Sequence, residues 1–311
     1  MPIILVAGSL NTDLVVRTPR FPLPGETISG EDLQVIPGGK GANQAVAAAR
    51  HGAQVFMLGR VGSDNFGNLL IDNLRANRVN TEHVLRDESS TGTATIVVDG
   101  TGQNTIVLSP GANGRVSAAD MESVSFRDFN LLLLQLEIPI PAVLAAARHA
   151  HENGLGVLLN PAPARELPEE LIALIDYLIP NEIELSLLSG MEVTDIPSAE
   201  AAAKSLLARG VRTVIVTLGS RGALIVTETE AIPVDSFKVN VVDTTAAGDA
   251  FIGGFAYKLM ESGGPPRGSQ ELIRGLHQAV RYGCACGALA ATKFGAQPSL
   301  PTKEEVEKFI S

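Results

Sequence analysis

Three things are missing from this chain or nearly so, and each absence removes a class of function. No apolar run reaches the roughly 20 residues that a membrane-spanning helix needs. The first apolar stretch, Ile3 to Ala7, is short, lacks a basic flank and runs into Gly8-Ser9, so it reads as a buried strand and not a signal peptide. Positive charge is scarce: 24 Lys and Arg against 34 Asp and Glu leave a net charge of −10. That argues against nucleic acid or an anionic membrane as a partner. It leaves a phosphate ligand open, because backbone N–H groups and a cation can meet its charge locally. Cysteine is limited to Cys284 and Cys286, two apart on an expected helix, where they face different directions. Neither a disulfide nor a metal site is expected from them. The five histidines have no clustered partners and are assigned no chemistry. The expected location is the cytoplasm.

What is present is ordinary globular composition, 45% hydrophobic and 19% charged over 311 residues, enough for one large α/β domain. From Leu131 the alternation is regular. Strands are expected at Leu131 to Leu134, Gly156 to Leu159, Tyr177 to Ile179 and Thr213 to Val216, with helices at Pro141 to Glu152 and Pro197 to Arg209. Ala223 to Thr227 and Ala231 to Pro233 read as antiparallel closing strands. Polar residues recur just after strand ends, at Glu137, Asn160, Asn181, Thr217 and Asp243, where a doubly wound sheet keeps its site. The first half breaks this rhythm twice. Leu14 to Arg17 with Thr27 to Ile36, and Thr91 to Val98 with Thr105 to Ser109, read as strand pairs without intervening helices. They are expected to form one small sheet, from about 12–37 and 91–109, lying over the ligand edge as a lid. Ser262 to Ser269 reads as a surface loop.

The chain is organised around Val239 to Phe251. Val239 to Val242 reads as a strand end, Asp243 to Thr245 as a polar turn, and Ala246 onward as a helix with Phe251, Ile252 and Phe255 at helical spacing. Ala246, Ala247 and Gly248 then occupy a first turn, where backbone N–H groups lack intrahelical partners and the helix dipole is positive. Small side chains let an anion approach, and Asp249 sits beside it as a candidate base, the pairing that phosphoryl transfer to a hydroxyl needs. Taken alone, Asp249 could equally be a first-turn acid favouring the dipole.

A second stretch adds weight. Pro37-Gly-Gly-Lys40-Gly-Ala-Asn43 is a Gly-rich loop entering a helix, without the Walker spacing or the dinucleotide fingerprint. With Lys40 and Asn43 beside free N–H groups it could cradle phosphate or grip a polyhydroxylated ligand. Read plainly, it is a tight turn with a solvated lysine. Asn11 and Asp13, two apart beyond the first strand, point the same way if the chain stays extended.

Gly38-Gly-Lys-Gly-Ala-Asn43 together with Asp243-Thr-Thr-Ala-Ala-Gly-Asp249 resembles the two signature stretches of the ribokinase-like (PfkB) carbohydrate kinases. Asn11-Thr-Asp13, Gln135-Leu-Glu137, Asn160 to Pro168, Thr217 to Gly222 and Gly295 to Ser299 extend the resemblance, in order, over essentially the whole chain. The resemblance implies a three-layer, mostly parallel α/β fold with a small β-sheet lid, and ATP-dependent transfer to the 5-hydroxyl of D-ribose. It implies Asp249 as base, with the N–H groups of Ala246, Ala247 and Gly248 as anion hole. Asn11, Asp13, Gly39, Lys40, Gly41, Ala42, Asn43 and Glu137 are implied to hold ribose, whose hydroxyls need both acceptors and donors.

For ATP the resemblance implies Asn181, the loop Thr217, Leu218, Gly219, Ser220, Arg221 and Gly222, Gly248, and Cys284 near the adenine. Glu184 completes an N-x-x-E element associated with Mg²⁺ through water. It could also be a helix surface charge, as Glu137 could be a solvated loop acid. A K⁺ site is implied at Asp243, Thr245, Ala290, Lys293, Gly295 and Ser299, mostly through carbonyl oxygens, and a homodimer joined through the lids. An apolar face on Leu14 to Val16 and Ile96 to Val98 would suit that dimer. Three positions depart from the pattern. Ala246 stands where many family members carry Gly, Cys284 where relatives often place Asn or His, and Ser262 to Ser269 is an insertion. The alternatives are a kinase for 2-deoxyribose or another pentose, or a sugar-binding regulator without turnover, which intact Gly248 and Asp249 oppose. A nucleoside kinase is disfavoured, since aromatics make up only 4% of the chain and such an enzyme wants stacking near the lid.

Overall fold

The computed structural model describes residues 3–262 and 269–311, so most of the expected 262–269 loop lies outside the described residues. The first half runs β1 (Ile3–Ala7), β2 (Asn11–Arg17), β3 (Gln34–Gly38), α1 (Lys40–Arg50), β4 (Gln54–Gly62), α2 (Asn65–Ala76), β5 (Val79–Asp87), β6 (Gly92–Val98) and β7 (Asn104–Ser109). Next come α3 (Ala118–Glu122), β8 (Leu131–Leu134), α4 (Ile140–Glu152), β9 (Gly156–Leu159), α5 (Glu169–Ile172), β10 (Tyr177–Leu178), α6 (Glu182–Ser189) and α7 (Ile196–Leu207). The chain closes with β11 (Thr213–Thr217), β12 (Ala223–Val226), β13 (Ala231–Val234), α8 (Ala247–Glu261), α9 (Ser269–Ala290) and α10 (Lys303–Ile310).

Nine strands form one sheet in the order β13-β12-β11-β10-β9-β8-β1-β4-β5. The pairs from β5 through β11 are parallel, and β12 and β13 close the edge antiparallel. Its central strands are apolar runs with no alternation, because helices cover both faces. Along β1 and β8, Ile4, Val6, Leu131 and Leu133 enter the core shared with α1, α8 and α9. Leu5, Ala7, Leu132 and Leu134 enter the core shared with α4 and α7. Successive residues of a strand point to opposite faces, so each serves a different helix layer. Helix starts are set by side-chain caps: Asp64 on α2, Asn181 on α6, Asp195 on α7 and Thr302 on α10 each accept from a backbone N–H.

The two early excursions meet as a separate four-stranded sheet, β3-β2-β6-β7, with β2 and β6 parallel and the outer pairs antiparallel. Strand pairing begins only at Gln34, so Thr27 to Leu33, expected to be extended, is not part of a strand. The register also corrects the expected outer face. Val15 and Ile96 pair with each other and are buried with Ala94, on the same side as Asp13. The opposite side presents the row Val35, Leu14, Thr95 and Val107.

A second correction falls on Val239 to Val242. These β-branched residues form no strand, and Val241 and Val242 are exposed. They pair with no strand of the sheet, whose edge is β13; β propensity without a partner does not make a strand. Instead the amides of Val242 and Asp243 donate to the Ala291 carbonyl (2.8 and 3.2 Å), which ties this segment to the end of α9.

Candidate active site

The carboxyl ends of β1, β8, β9, β10 and β11 open on one edge of the large sheet, and the small sheet meets them there. Gly39 makes the entry to α1 possible: its φ is +89°, and a Cβ would come within 2.6 Å of the Asn11 amide. The first turn of α1 is thereby pressed against the β1–β2 connection, where Gly41 N donates to Ser9 Oγ and Ala42 N to the Ser9 carbonyl.

Glu137, just past β8, is held by this junction. Its Oε2 accepts from Ser9 Oγ (2.5 Å), Lys40 N (3.1 Å) and Asn11 Nδ2 (3.4 Å), while its Oε1 takes no hydrogen bond from the described residues. Asn11 is oriented from the other side by Asn113 Nδ2, which donates to its Oδ1 (2.7 Å). Asp13 follows on the same face of β2, is only 8% exposed, and has its pKa pushed up to about 7. Burial is the main cause; the negative charges of Glu137 and Asp249 add to it and Lys40 opposes.

Asp249 lies in the first turn of α8, 5% exposed, on the floor of a cleft of about 120 Å³. Asn43 Nδ2 donates to its Oδ2 (2.9 Å) and Gln44 Nε2 to its Oδ1 (3.0 Å). Burial raises its pKa, and Lys40, Asn43 and Gln44 act against that rise. Lys40 itself is raised: the loss of solvent, which favours the neutral amine, is outweighed by Asp249, Glu137, Glu184 and Asp13 around it. One cation therefore faces four carboxyl groups. Asn43 Oδ1 is buried with no partner, an acceptor waiting for a donor.

On the other side of Asp249 the cleft is walled by Asn160, Asn181, Glu184, Thr217, Thr245 and Gly248. No side chain caps the start of α8, and at Gly248 the space a side chain would fill is open. The amide of Ala247 already donates to the Thr244 carbonyl (3.2 Å), so Ala246 and Gly248 are left as the amides available to an anion. Asn181 and Glu184 form a capping box at α6, each accepting from the other's backbone N–H (2.8 and 2.9 Å). Glu184 is 7% exposed and burial raises its pKa.

These features are those of a phosphotransferase site, and the family comparison decides which kind. The model of the pfkB family carbohydrate kinases matches residues 1–303. The chain belongs to that family. It is 40% identical over 308 residues to the ribokinase of Haemophilus influenzae, covering 98% of this chain and 97% of that one. It is 38% identical over 312 residues to the deoxyribokinase of Salmonella typhi, covering 99% and 98%. A solved structure of Arabidopsis thaliana ribokinase complexed with ribose and ATP superimposes with a TM-score of 0.89 at 33% identity, over 100% of this chain and 99% of that one.

Within this kinase the expected residues fall into three groups. Asn11, Asp13, Lys40, Asn43, Glu137 and Asp249 converge, as do Asn181, Glu184 and Thr217 across the cleft. Asp243, Thr245 and Gly295 also come together: Asp243 Oδ1 accepts from Thr245 N (2.9 Å) and its Oδ2 from Gly295 N (3.0 Å). Ala290 and Ser299 lie nearby in sequence but are engaged locally; the Ala290 carbonyl accepts from Lys293 N and Ser299 Oγ donates to the Ala296 carbonyl. The Lys293 side chain pairs with Glu305. The third group does not reach the cleft. Leu218 is buried, Ser220 and Arg221 are exposed on a turn with Arg221 paired to Glu182, and Cys284 sits in the core beneath α8, its thiol pushed up to about 12 by burial.

Ser9, Gln44, Asn113 and Gln135 were not singled out from the sequence, yet all are buried in this network. Two carried a signal: Gln44 as the neighbour of Asn43 in the Gly-rich motif, and Gln135 as the first residue of the Gln135-Leu-Glu137 segment. Asn113 arrives through a 3₁₀ turn a hundred residues away from its partners, which no local pattern announces.

Proposed function

We propose that this kinase transfers the γ-phosphoryl group of ATP to the 5-hydroxyl of D-ribose, giving D-ribose 5-phosphate. The observation that carries the reading is the position of Asp249, with Asn11, Asp13, Asn43 and Glu137 on one side and an uncapped helix start on the other. Asn43 Oδ1 and Glu137 Oε1, without partners among the described residues, are acceptors for sugar hydroxyls, and Lys40 supplies positive charge. Asp249 takes the proton of the primary hydroxyl as the phosphoryl group moves in line. The amides of Ala246 and Gly248, with the positive end of α8, hold the charge that develops. Bound beneath the small sheet acting as a lid, the sugar is shielded from water that would otherwise accept the phosphoryl group.

The nucleotide lies along Asn181, Thr217 and Gly248 in this reading. Glu184, a cleft carboxylate with one oxygen still unengaged among the described residues, would hold Mg²⁺ through water, and the ion would supply charge neutralisation of the phosphates. K⁺ belongs to the corner where Asp243 joins Thr245 to Gly295, whose backbone carbonyls are ligands of the hardness such an ion takes. In this reading the kinase works as a homodimer in the cytoplasm. Among the described residues no helix is long and apolar enough to cross a membrane.

A coupled assay of ADP release across pentoses tests the activity. Turnover on D-ribose well above 2-deoxyribose and other pentoses is expected. Preference for 2-deoxyribose would establish the second reading, which the 38% identity to the S. typhi deoxyribokinase keeps in view. Binding of ribose with no ADP release would establish the non-catalytic regulator.

A further inference from the structure

A chain of three side-chain amides runs beside Asp249, from Asn160 on the cleft wall to the buried Gln44 and Gln135. It begins at the Ile179 carbonyl, a group that can only accept. Asn160 Nδ2 donates to it (3.0 Å), so Asn160 must turn its oxygen the other way, toward Gln44. Gln44 Nε2 donates to that oxygen (3.2 Å) and to Asp249 Oδ1 (3.0 Å), which uses both its hydrogens. Gln44 Oε1 is left facing Gln135, whose Nε2 donates to it (2.6 Å). Each amide orientation follows from the one before, so the end that faces Asp249 is set as a donor by a backbone carbonyl two side chains away. Gln44 is 0% and Gln135 1% exposed, so neither can touch a substrate. Gln135 Oε1 has no partner, and it lies where a Cβ on Gly8 would be 2.1 Å away, so this connection has room for the amide only as glycine.

We propose that Gln44, locked by Gln135, is a positioning residue for the reaction: it keeps the Asp249 carboxyl ionised and turned toward the cleft. This rests on Asp249 being the base. Asp249 is deprived of water, and Asp13, Glu137 and Glu184 face it with like charge while Lys40 alone opposes them. An amide donating to each oxygen, Asn43 on one and Gln44 on the other, favours the ionised form. The Asn43 amide has no hydrogen-bond partner on its other atom among the described residues. Gln44 is fixed from behind.

The test compares Gln44→Met, which keeps the length and removes both donors, with Gln135→Met, which leaves every contact to Asp249 and frees only the Gln44 amide. Asp249→Asn is the control. For Gln44→Met we expect kcat to fall about 10–10²-fold with the ribose KM changed less than about threefold. The acid limb of the kcat profile should move up by about one pH unit. Gln135→Met should move the limb the same way by less. An acid limb that stays in place in both variants overturns the proposal, whatever happens to kcat. Should Gln44→Met fail to fold, Gln135→Met decides alone: a limb moved up supports it and an unmoved one overturns it. If Asp249→Asn keeps near-normal turnover, it is the assignment of the base that fails. If Asp249→Asn is inactive and the limbs are unmoved, only the role of Gln44 fails.

Discussion

At Asp249, burial pushes the carboxyl toward its neutral form while Lys40, Asn43 and Gln44 pull it back. The site needs both: a carboxylate made more basic by burial yet held ionised by its neighbours, in a place where little water competes. Replacing it with Asn keeps the shape and removes the proton acceptor, so Asp249→Asn should lower kcat by about 10²–10⁴-fold while ribose binding, measured by calorimetry without nucleotide, stays nearly unchanged. Asp13 shows the accompanying cost in stability. With its pKa at about 7 when folded against an ordinary 3.8, the native protein binds the proton more tightly than the unfolded chain. Its contribution to stability is therefore fully present at low pH and is lost as pH rises from about 4 to about 7. Asp13→Asn, which mimics the protonated form, should stabilise the ligand-free kinase more at pH 8 than at pH 5, by on the order of 1–3 kcal/mol, read as a larger rise in Tm at pH 8. An equal shift at both values would show that the folded-state pKa is not raised. The same variant should bind ribose more weakly, a stability gain bought with function.

Among the elements, the start of α8 depends on segments that are neither strand nor helix. The Val239 to Val242 stretch hangs on the end of α9, and Asp243 joins the turn before α8 to Gly295 in the loop after α9. A third contact reaches the small sheet: Phe294, beside Gly295, packs against Val15 and Ile96 of β2 and β6, with the Arg17 guanidinium 4.5 Å above its ring. Three parts of the molecule thus meet at one corner, and Asp243 is its knot. Asp243→Ala removes the acceptor for the Thr245 and Gly295 amides and should loosen the amides that hold the transferring phosphoryl group. With K⁺ assigned to this corner, the unmodified kinase should be faster in KCl than in NaCl at equal ionic strength. The variant should be slow and nearly equal in both salts; a variant that kept the K⁺ preference would remove Asp243 from the ion's site.

For the molecule as a whole, the small sheet leaves apolar surface uncovered. Val35 and Val107 are 41% and 61% exposed on the outer face, and the edge strand β7 exposes Ile106 and Leu108 on the other. An open edge with large apolar residues invites pairing, and a second copy of this face would satisfy it. The proposed dimer should therefore sediment at twice the chain mass, and Val107→Lys should shift it toward monomer with α-helical content unchanged; an unmoved sedimentation coefficient would put the contact elsewhere. What the sequence determined by itself was whatever repeats at short range. Apolar runs such as Leu131 to Leu134 must be buried strands wherever they sit, and glycines such as Gly39 mark turns that other residues cannot make. Asn11, Glu137 and Asp249 were legible because each stands near an element's end beside such a marker, and Asp13 because it follows Asn11 at the spacing that shares a strand face. Tertiary structure alone decided the rest. Whether Val239 to Val242 becomes a strand depends on a free sheet edge, whether Ile96 faces in or out depends on register, and which amides surround Asp249 depends on chains meeting across more than a hundred residues. Those outcomes are set by partners, and a partner distant along the chain leaves no periodic trace in the residue it will meet.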